Sequence, residues 1–256
     1  MHPADRRPIF VIPWEGVVLV GTTDLDHDAG FNEEPAISEE EVSYLMQGLI
    51  DCFPSLSLDL DQGIATFAGV RPVVSEGTRS PSEESRDHVI WKDRGLITVT
   101  GGKLTTFRRI AWDTLSEVFE YLPKGVALDR DVPVFVAPQD QWTAGADLPA
   151  DIWKRLFGRY GKAAGLMVEQ AAPGDMQSAG GTPTLWAEVI EGARREGVKH
   201  LDDLLLRRVR LGLLLPDGGI GLLDEVQRRC GPFFSWSGRR WQEERNRYRD
   251  ILERAY

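Results

Sequence analysis

Two short apolar runs near the start of the chain are separated by turn residues. Residues 9–14 and 17–21 are rich in β-branched and aromatic side chains, and Glu15-Gly16 lies between them. A two-residue connection that contains glycine is typical of tight hairpins. The pattern predicts two antiparallel strands followed by a polar loop.

The next pattern has the period of an α-helix. Apolar residues recur at three- and four-residue spacing over 42–53, and Pro54 follows. Ser38 and Glu41 have the spacing of a capping box. We therefore expect a scaffold helix that begins after Ser38 and ends before Pro54.

A strand-rich stretch leads into a second helix. We predict a strand over 64–74 and two short strands at 87–91 and 96–100, joined by a turn. Gly101-Gly102 follows the last strand directly. Apolar spacing then predicts an amphipathic helix of about five turns over 104–122.

The remainder of the chain has helical periodicity. A stretch rich in Pro, Gly, Gln and Asp over 123–147 indicates a linker. Six helices are expected after it, at about 150–158, 162–172, 184–196, 202–215, 220–230 and 237–255. The fold class predicted is α+β, with a mixed domain over 1–122 and an all-α domain over 148–256.

Composition narrows the class of protein. The 256 residues are 42% hydrophobic and 27% charged, which is typical of a globular chain. We see no signal peptide and no apolar run near the roughly 20 residues of a spanning helix. Two cysteines without a CxxC motif fit a reducing compartment, so we expect a cytoplasmic location. The net charge of −10 argues against a nucleic-acid partner.

The charge is unevenly distributed. Residues 1–123 carry ten basic and 21 acidic residues, whereas residues 124–256 carry 20 and 19. Eight of the ten basic residues in the acidic half lie between Arg71 and Arg109, at 71, 79, 86, 92, 94, 103, 108 and 109. Such a cationic segment suits an anionic ligand, although ordinary surface charge would produce the same pattern.

The segment Gly101-Gly102-Lys103-Leu104-Thr105-Thr106 combines two glycines with a helix start. The first N–H groups of a helix lack intrahelical partners, and the helix dipole adds partial positive charge. Glycine permits close approach of a ligand, and Lys103 adds a full charge. The segment therefore suits an anion, or serves only as the turn from strand to helix.

Other candidate site residues lie upstream. Arg71 stands among valines at a predicted strand end, where a guanidinium pairs with a carboxylate or faces a ligand. Arg86 precedes Asp87-His88, and His88 is either a general base or a structural hydrogen-bonding residue. Thr23 either lines a ligand or caps the loop after the hairpin. The four histidines lack metal-ligand spacing, so we predict no metal.

Taken together, the motifs resemble a known family. They are Phe-Val-Ile-Pro-Trp at 10–14, Val-Gly-Thr-Thr-Asp at 20–24, Ala-Gly-Val-Arg-Pro at 68–72, Ser-Arg-Asp-His at 85–88 and Thr-Gly-Gly-Lys-Leu-Thr-Thr-Phe-Arg at 100–108. The same order is found in FAD-dependent glycerol-3-phosphate dehydrogenases. The helical stretch, with Leu-Asp-Asp-Leu-Leu-Leu-Arg-Arg at 201–208, resembles the C-terminal domain of that family.

The resemblance implies oxidation of sn-glycerol 3-phosphate to dihydroxyacetone phosphate by hydride transfer to FAD, with quinone as the electron acceptor. It implies that Arg71 and Arg86 belong to the substrate site, where they bind the phosphate or orient the alcohol. Thr23 is a further substrate-binding candidate. It also implies that Gly101, Gly102, Lys103, Leu104 and Thr105 face the flavin, so Arg71, Arg86 and Lys103 are the catalytic candidates.

The chain departs from the family in one respect. It has no GxGxxG fingerprint and no upstream Gly-Ser-His segment, so it resembles the C-terminal half and needs an FAD-binding N-terminal half as partner. The isolated chain is therefore expected to be inactive. A homodimer and peripheral contact with the inner face of the cytoplasmic membrane are further expectations. The alternative is a non-catalytic helical module for interaction or dimerisation.

Overall fold

The structure is a computed structural model that describes residues 1–27, 30, 32–71, 87–125, 129–134 and 148–256. The strands in this part of the chain are β1 (Phe10–Trp14), β2 (Val17–Gly21), β3 (His88–Asp93) and β4 (Leu96–Gly101). The helices are α1 (Glu39–Cys52), α2 (Phe107–Glu117), α3 (Ala150–Tyr160), α4 (Ala163–Glu169), α5 (Trp186–Arg195), α6 (Leu223–Cys230) and α7 (Gly238–Ala255). Antiparallel hairpins and a helical C-terminal region confirm the α+β class.

Both predicted hairpins are present. β1 pairs antiparallel with β2 from Phe10–Gly21 to Trp14–Val17, around the turn at Glu15-Gly16. β3 pairs with β4 from His88–Gly101 to Asp93–Leu96. Each forms a two-stranded sheet. The register places His88 directly opposite Gly101, at the end of β4 that leads into α2.

The start of α1 confirms the capping box. Ser38 Oγ accepts the Glu41 N–H at 3.2 Å, and Glu41 Oε2 accepts the Ser38 N–H at 2.9 Å. On α1, Gly48 is buried against the N-terminal segment, where a Cβ would lie 2.6 Å from Ile9 Cδ1 and 2.8 Å from His2 Cδ2. Glycine therefore allows this close packing.

Two sequence predictions in the first half are wrong. Residues 64–71 form no strand, and residues 72–74 lie outside the described part. A strand needs a ladder partner, whereas the Thr66 N–H instead bonds the Tyr256 carbonyl at 2.9 Å. The predicted helix over 104–122 is shorter, because α2 is flanked by 3₁₀ turns at Leu104–Thr106 and Phe119–Tyr121.

The helical region follows the predicted order with one correction. In place of a helix over 202–215, the chain forms a π-helix at Asp203–Arg208 and a 3₁₀ turn at Leu211–Leu213. A 3₁₀ segment at Pro216–Leu222 follows, so α6 begins at Leu223 and not near residue 220. Arg210 has a φ of 60°, in the left-handed region, and this ends the helical run. Asp203 accepts the N–H groups of Lys199 and His200, which precede the π-helix, at 2.9 and 3.0 Å.

The described chain forms two compact units. One comprises Met1–Thr23, Gly30–Gly69 and Pro138–Tyr256, and the other Asp24–Ala29 and Val70–Ala137. The predicted boundaries at 122 and 148 stay a prediction. In the described residues, none of the helices has the length and apolar character required to cross a bilayer.

Candidate functional site

The strand-to-helix turn predicted as a ligand site is an exposed corner. We call residues 101–106 the Gly101–Thr106 corner. Gly101 and Gly102 have φ values of 76° and 82°, in the left-handed region that favours glycine. Lys103, Leu104 and Thr105 after them are exposed, and Leu104 is 88% exposed. The corner therefore presents backbone and an apolar side chain to its surroundings.

A threonine that the sequence analysis did not single out holds this corner. Thr106 Oγ1 donates to the Lys103 carbonyl at 2.9 Å and accepts the Lys103 N–H at 3.3 Å. The Thr106 N–H also bonds the Lys103 carbonyl at 2.9 Å. The spacing of three residues between Lys103 and a hydroxyl residue was the available cue.

Lys103 differs from the other described cations of its segment. Arg71, Lys92, Arg94 and Arg109 form ion pairs, and Arg108 binds backbone carbonyls at 130 and 132. Within the described residues, the Lys103 ammonium has no side-chain partner. The N–H groups of Leu104 and Thr105 also find no acceptor there. One full charge and two free donors thus lie side by side.

Arg71 makes one loose contact. Its Nη1 lies 3.5 Å from Asp24 Oδ2, and its side chain is half exposed. A single long contact leaves the guanidinium able to bind an anion in a bidentate manner. Asp24 belongs to the Val20–Asp24 motif, so the structure brings together two of the motifs that carry the family resemblance.

The structure gives less support for the other two predicted substrate-site residues, Arg86 and Thr23. Arg86 lies outside the described residues. Thr23 donates to Glu41 Oε1 at 2.5 Å, so its hydroxyl is held by the carboxylate that caps α1. Thr23 belongs to one compact unit, whereas Arg71 and the Gly101–Thr106 corner belong to the other. Their roles in substrate binding stay predictions.

His88 lies against the corner. Its Nε2 is 3.2 Å from Asp113 Oδ2 on α2, and its side chain is only 14% exposed. Arg109 Nε approaches the same carboxylate at 3.5 Å. The contact with Asp113 joins the start of β3 to α2, a relation that the sequence could not reveal.

Two other features, a charged cluster and a buried cysteine, do not form a reactive site. His200, Asp202 and Glu244 place ligand-type atoms within 4.8 Å of one another. Arginines bind both carboxylates: Arg240 contacts Glu244, and Arg207 and Arg247 contact Asp202. These arginines disfavour a cation there. Burial raises the pKa of the Cys230 thiol to about 12, so this cysteine is not a nucleophile at neutral pH.

Comparison with known families divides the chain into two adjoining matches. Residues 1–108 match the model of the FAD dependent oxidoreductases, and residues 109–241 match that of the C-terminal domain of alpha-glycerophosphate oxidase. The second match alone covers more than half of the chain.

Relatives of this chain are glycerol-3-phosphate dehydrogenases. It is 29% identical to the probable mitochondrial enzyme of Dictyostelium discoideum, over 97% of this chain and 42% of that protein. It is 30% identical to the aerobic enzyme of Staphylococcus aureus, over 80% of this chain and 40% of that protein. The chain thus spans about two fifths of their length.

A solved structure agrees with these matches. The glycerol-3-phosphate dehydrogenase from Bacillus halodurans, complexed with FAD, superposes with a TM-score of 0.70 at 25% identity. The superposition covers all of this chain and 52% of that one. Because family models, relatives and fold agree, the chain belongs to the family of FAD-dependent glycerol-3-phosphate dehydrogenases, which are oxidoreductases.

Proposed function

We propose that this chain supplies the substrate- and flavin-contacting part of an enzyme that oxidises sn-glycerol 3-phosphate to dihydroxyacetone phosphate. The observation that carries the proposal is the Gly101–Thr106 corner, where Lys103 and the N–H groups of Leu104 and Thr105 have no hydrogen-bond or ion-pair partner among the residues that the structure describes. Family membership supplies the reaction class. Quinone as electron acceptor is part of the proposal and is supported by the resemblance alone.

The corner fits a flavin in both shape and charge. The left-handed glycines leave the backbone at the corner without side chains, and Leu104 offers an exposed apolar surface for a planar ring. The N–H groups of Leu104 and Thr105 would bind the polar edge of the ring. Lys103 and the positive end of the helix dipole favour a group that becomes anionic on reduction.

Bound FAD would supply the acceptor for a hydride from C2 of the alcohol, while the hydroxyl proton leaves to a base. In this proposal Arg71 releases Asp24 and binds the phosphate or orients the alcohol. We assign the same role to Arg86, because the family resemblance places it in the substrate site together with Arg71. Lys103 stabilises negative charge next to the reacting atoms.

Co-expression tests this function. The chain would be produced together with the N-terminal part of the Bacillus halodurans relative that it does not match. We expect flavin absorbance in the purified complex, and reduction of an artificial dye by glycerol 3-phosphate but not by glycerol. A stable complex that binds no flavin and reduces no dye would overturn the proposal.

The purified chain and the co-expressed complex also test the alternative function and the other proposed properties. The alternative of a non-catalytic helical module would be favoured by a stable oligomer of the chain, measured by light scattering, whose melting does not respond to glycerol 3-phosphate. A homodimer, peripheral membrane contact and a cytoplasmic location are proposals as well. Light scattering and vesicle sedimentation of the complex test the first two.

A further inference from the structure

Two residues, His88 and Ile110, lie beside the glycine pair of the Gly101–Thr106 corner. His88 pairs with Gly101 across the β3–β4 ladder. A Cβ on Gly102 would lie 3.4 Å from His88 Cβ and 2.5 Å from Ile110 Cδ1. The strand residue His88 and the helix residue Ile110 therefore lie on two sides of Gly102, whose φ of 82° also favours glycine.

The imidazole of His88 also contacts a carboxylate on α2. Its Nε2 lies 3.2 Å from Asp113 Oδ2, three residues and almost one turn beyond Ile110. The side chain of His88 is mostly buried, so water screens this contact less than it screens a surface pair. A polar contact between β3 and α2 therefore lies next to the glycine pair that precedes Lys103, Leu104 and Thr105.

We propose that His88 is a positioning residue that acts through Asp113. The His88–Asp113 contact sets the angle between β4 and α2, and thereby the direction in which Lys103 and the N–H groups of Leu104 and Thr105 point. The inference rests on the proposed function only in that those donors face a flavin. The positioning itself is a property of this chain.

The structure offers a matched control between the same two elements. Lys92 on β3 lies 2.7 Å from Glu117 on α2, and both side chains are about half exposed. The Lys92–Glu117 pair lies further from the glycines along both elements. If any link between β3 and α2 were sufficient, removing either pair would have the same effect.

Hydrogen exchange of the chain without cofactor tests the positioning. We compare His88→Ala, Asp113→Ala and Lys92→Ala, and follow the peptide that contains the Thr106 and Phe107 amides. Both amides are hydrogen-bonded within the turn. His88→Ala and Asp113→Ala should raise their exchange rates about fivefold or more, and Lys92→Ala should leave them within about twofold. Equal effects of the three variants would overturn the proposal.

A conservative variant separates positioning from loss of folding. Glutamine at position 88 retains an N–H donor of similar reach, so His88→Gln should restore much of the protection that His88→Ala loses. If His88→Ala unfolds the chain, Asp113→Asn, which removes the carboxylate charge but keeps the size of the side chain, is compared with Lys92→Ala instead. If His88→Gln gave the same protection in the Asp113→Ala background as in the parent background, the contact with Asp113 would have no role.

The co-expressed complex provides a spectroscopic measurement. His88→Ala and Asp113→Ala should shift the flavin absorbance maxima and the flavin reduction potential, whereas Lys92→Ala should change neither. Unchanged flavin properties in complexes that do bind FAD would overturn the link to the cofactor. Failure of the parent complex to bind FAD would instead overturn the proposed function, and the exchange experiment would still decide the positioning.

Discussion

At the scale of single residues, Arg71 and Lys103 show two ways in which a cation stays available to an anion. Arg71 makes one long contact with Asp24 and keeps half of its side chain exposed. The Lys103 ammonium makes no hydrogen bond or ion pair within the described residues. Cations that bind tightly within the chain, such as Arg108 and Lys92, are less suited to ligand binding.

Arg71 should matter for the substrate more than for the fold. In the co-expressed complex, Arg71→Ala should raise the KM for glycerol 3-phosphate about 10- to 100-fold, the worth of a hydrogen bond to a charged group. Steady-state kinetics with dye as acceptor measure this. Arg239→Ala, which removes an exposed arginine on α7, should leave KM unchanged. A KM for Arg71→Ala within twofold of the parent would assign Arg71 to structure.

The residue scale also shows what the sequence could supply. The sequence predicted that Lys103 and the glycine pair form a turn suited to an anion. It could do so because a strand, two glycines and a helix follow one another directly along the chain. The contacts His88–Asp113 and Thr23–Glu41 could not, since each joins residues 18 or more positions apart. Only folding brings such pairs together.

At the scale of elements, close packing of α1 depends on one glycine. Gly48→Ala should lower the free energy of unfolding, because overpacking costs about 1–3 kcal/mol and outweighs the gain of about 1 kcal/mol in helix propensity. Thermal melting followed by circular dichroism measures this. Gly158→Ala on α3, where no atom lies within 4 Å of the new Cβ, should be neutral or stabilising. Equal melting shifts in the two variants would contradict the packing explanation.

Elements differed in how well their patterns predicted them. The hairpins and α1 were predicted closely because their turn and cap residues are local. The segment 64–71 has strand-like composition yet forms no strand, since composition cannot supply a ladder partner. Helical periodicity over 202–215 did not reveal the left-handed Arg210 that interrupts it.

At the scale of the whole molecule, one buried carboxylate links distant parts of the first compact unit. Glu188 on α5 is fully buried and binds Arg155 and Arg159 of α3. Arg155 also binds Glu15 in the β1–β2 turn at 2.9 Å. The N-terminal hairpin is thereby connected to the C-terminal helices through charge.

Loss of the Glu188 charge should destabilise this unit as a whole. Glu188→Gln removes the buried counter-ion that Arg155 and Arg159 share, and only the partly exposed Glu15 still pairs with them. The loss of charge-assisted hydrogen bonds should cost about 1.5–3 kcal/mol. Urea unfolding measures the loss. Glu243→Gln, which breaks an exposed pair with Arg239, should cost less than about 1 kcal/mol. Similar unfolding midpoints for the two variants would refute the role given to Glu188.

Acid should weaken the fold through carboxylates held by arginines. Hydrogen bonds from Arg228 and Arg229 lower the pKa of Glu225 from 4.5 to about 2. Since the folded pKa is lowered, the stabilisation is complete above about pH 4.5 and is lost as the pH falls towards 2. The difference in melting temperature between the parent and Glu225→Gln should therefore shrink over that window. Parallel pH curves would contradict this.

The order of the compact units along the chain has a consequence for synthesis. Met1–Gly69 and Pro138–Tyr256 contribute to one unit, and most of the other unit is inserted between them. A ribosome adds about 5–20 residues per second, so the C-terminal helices follow the N-terminal hairpin by roughly ten seconds or more. Glu15 cannot meet Arg155 before then. Until then the nascent N-terminal hairpin lacks the ion pair that connects it to the C-terminal helices.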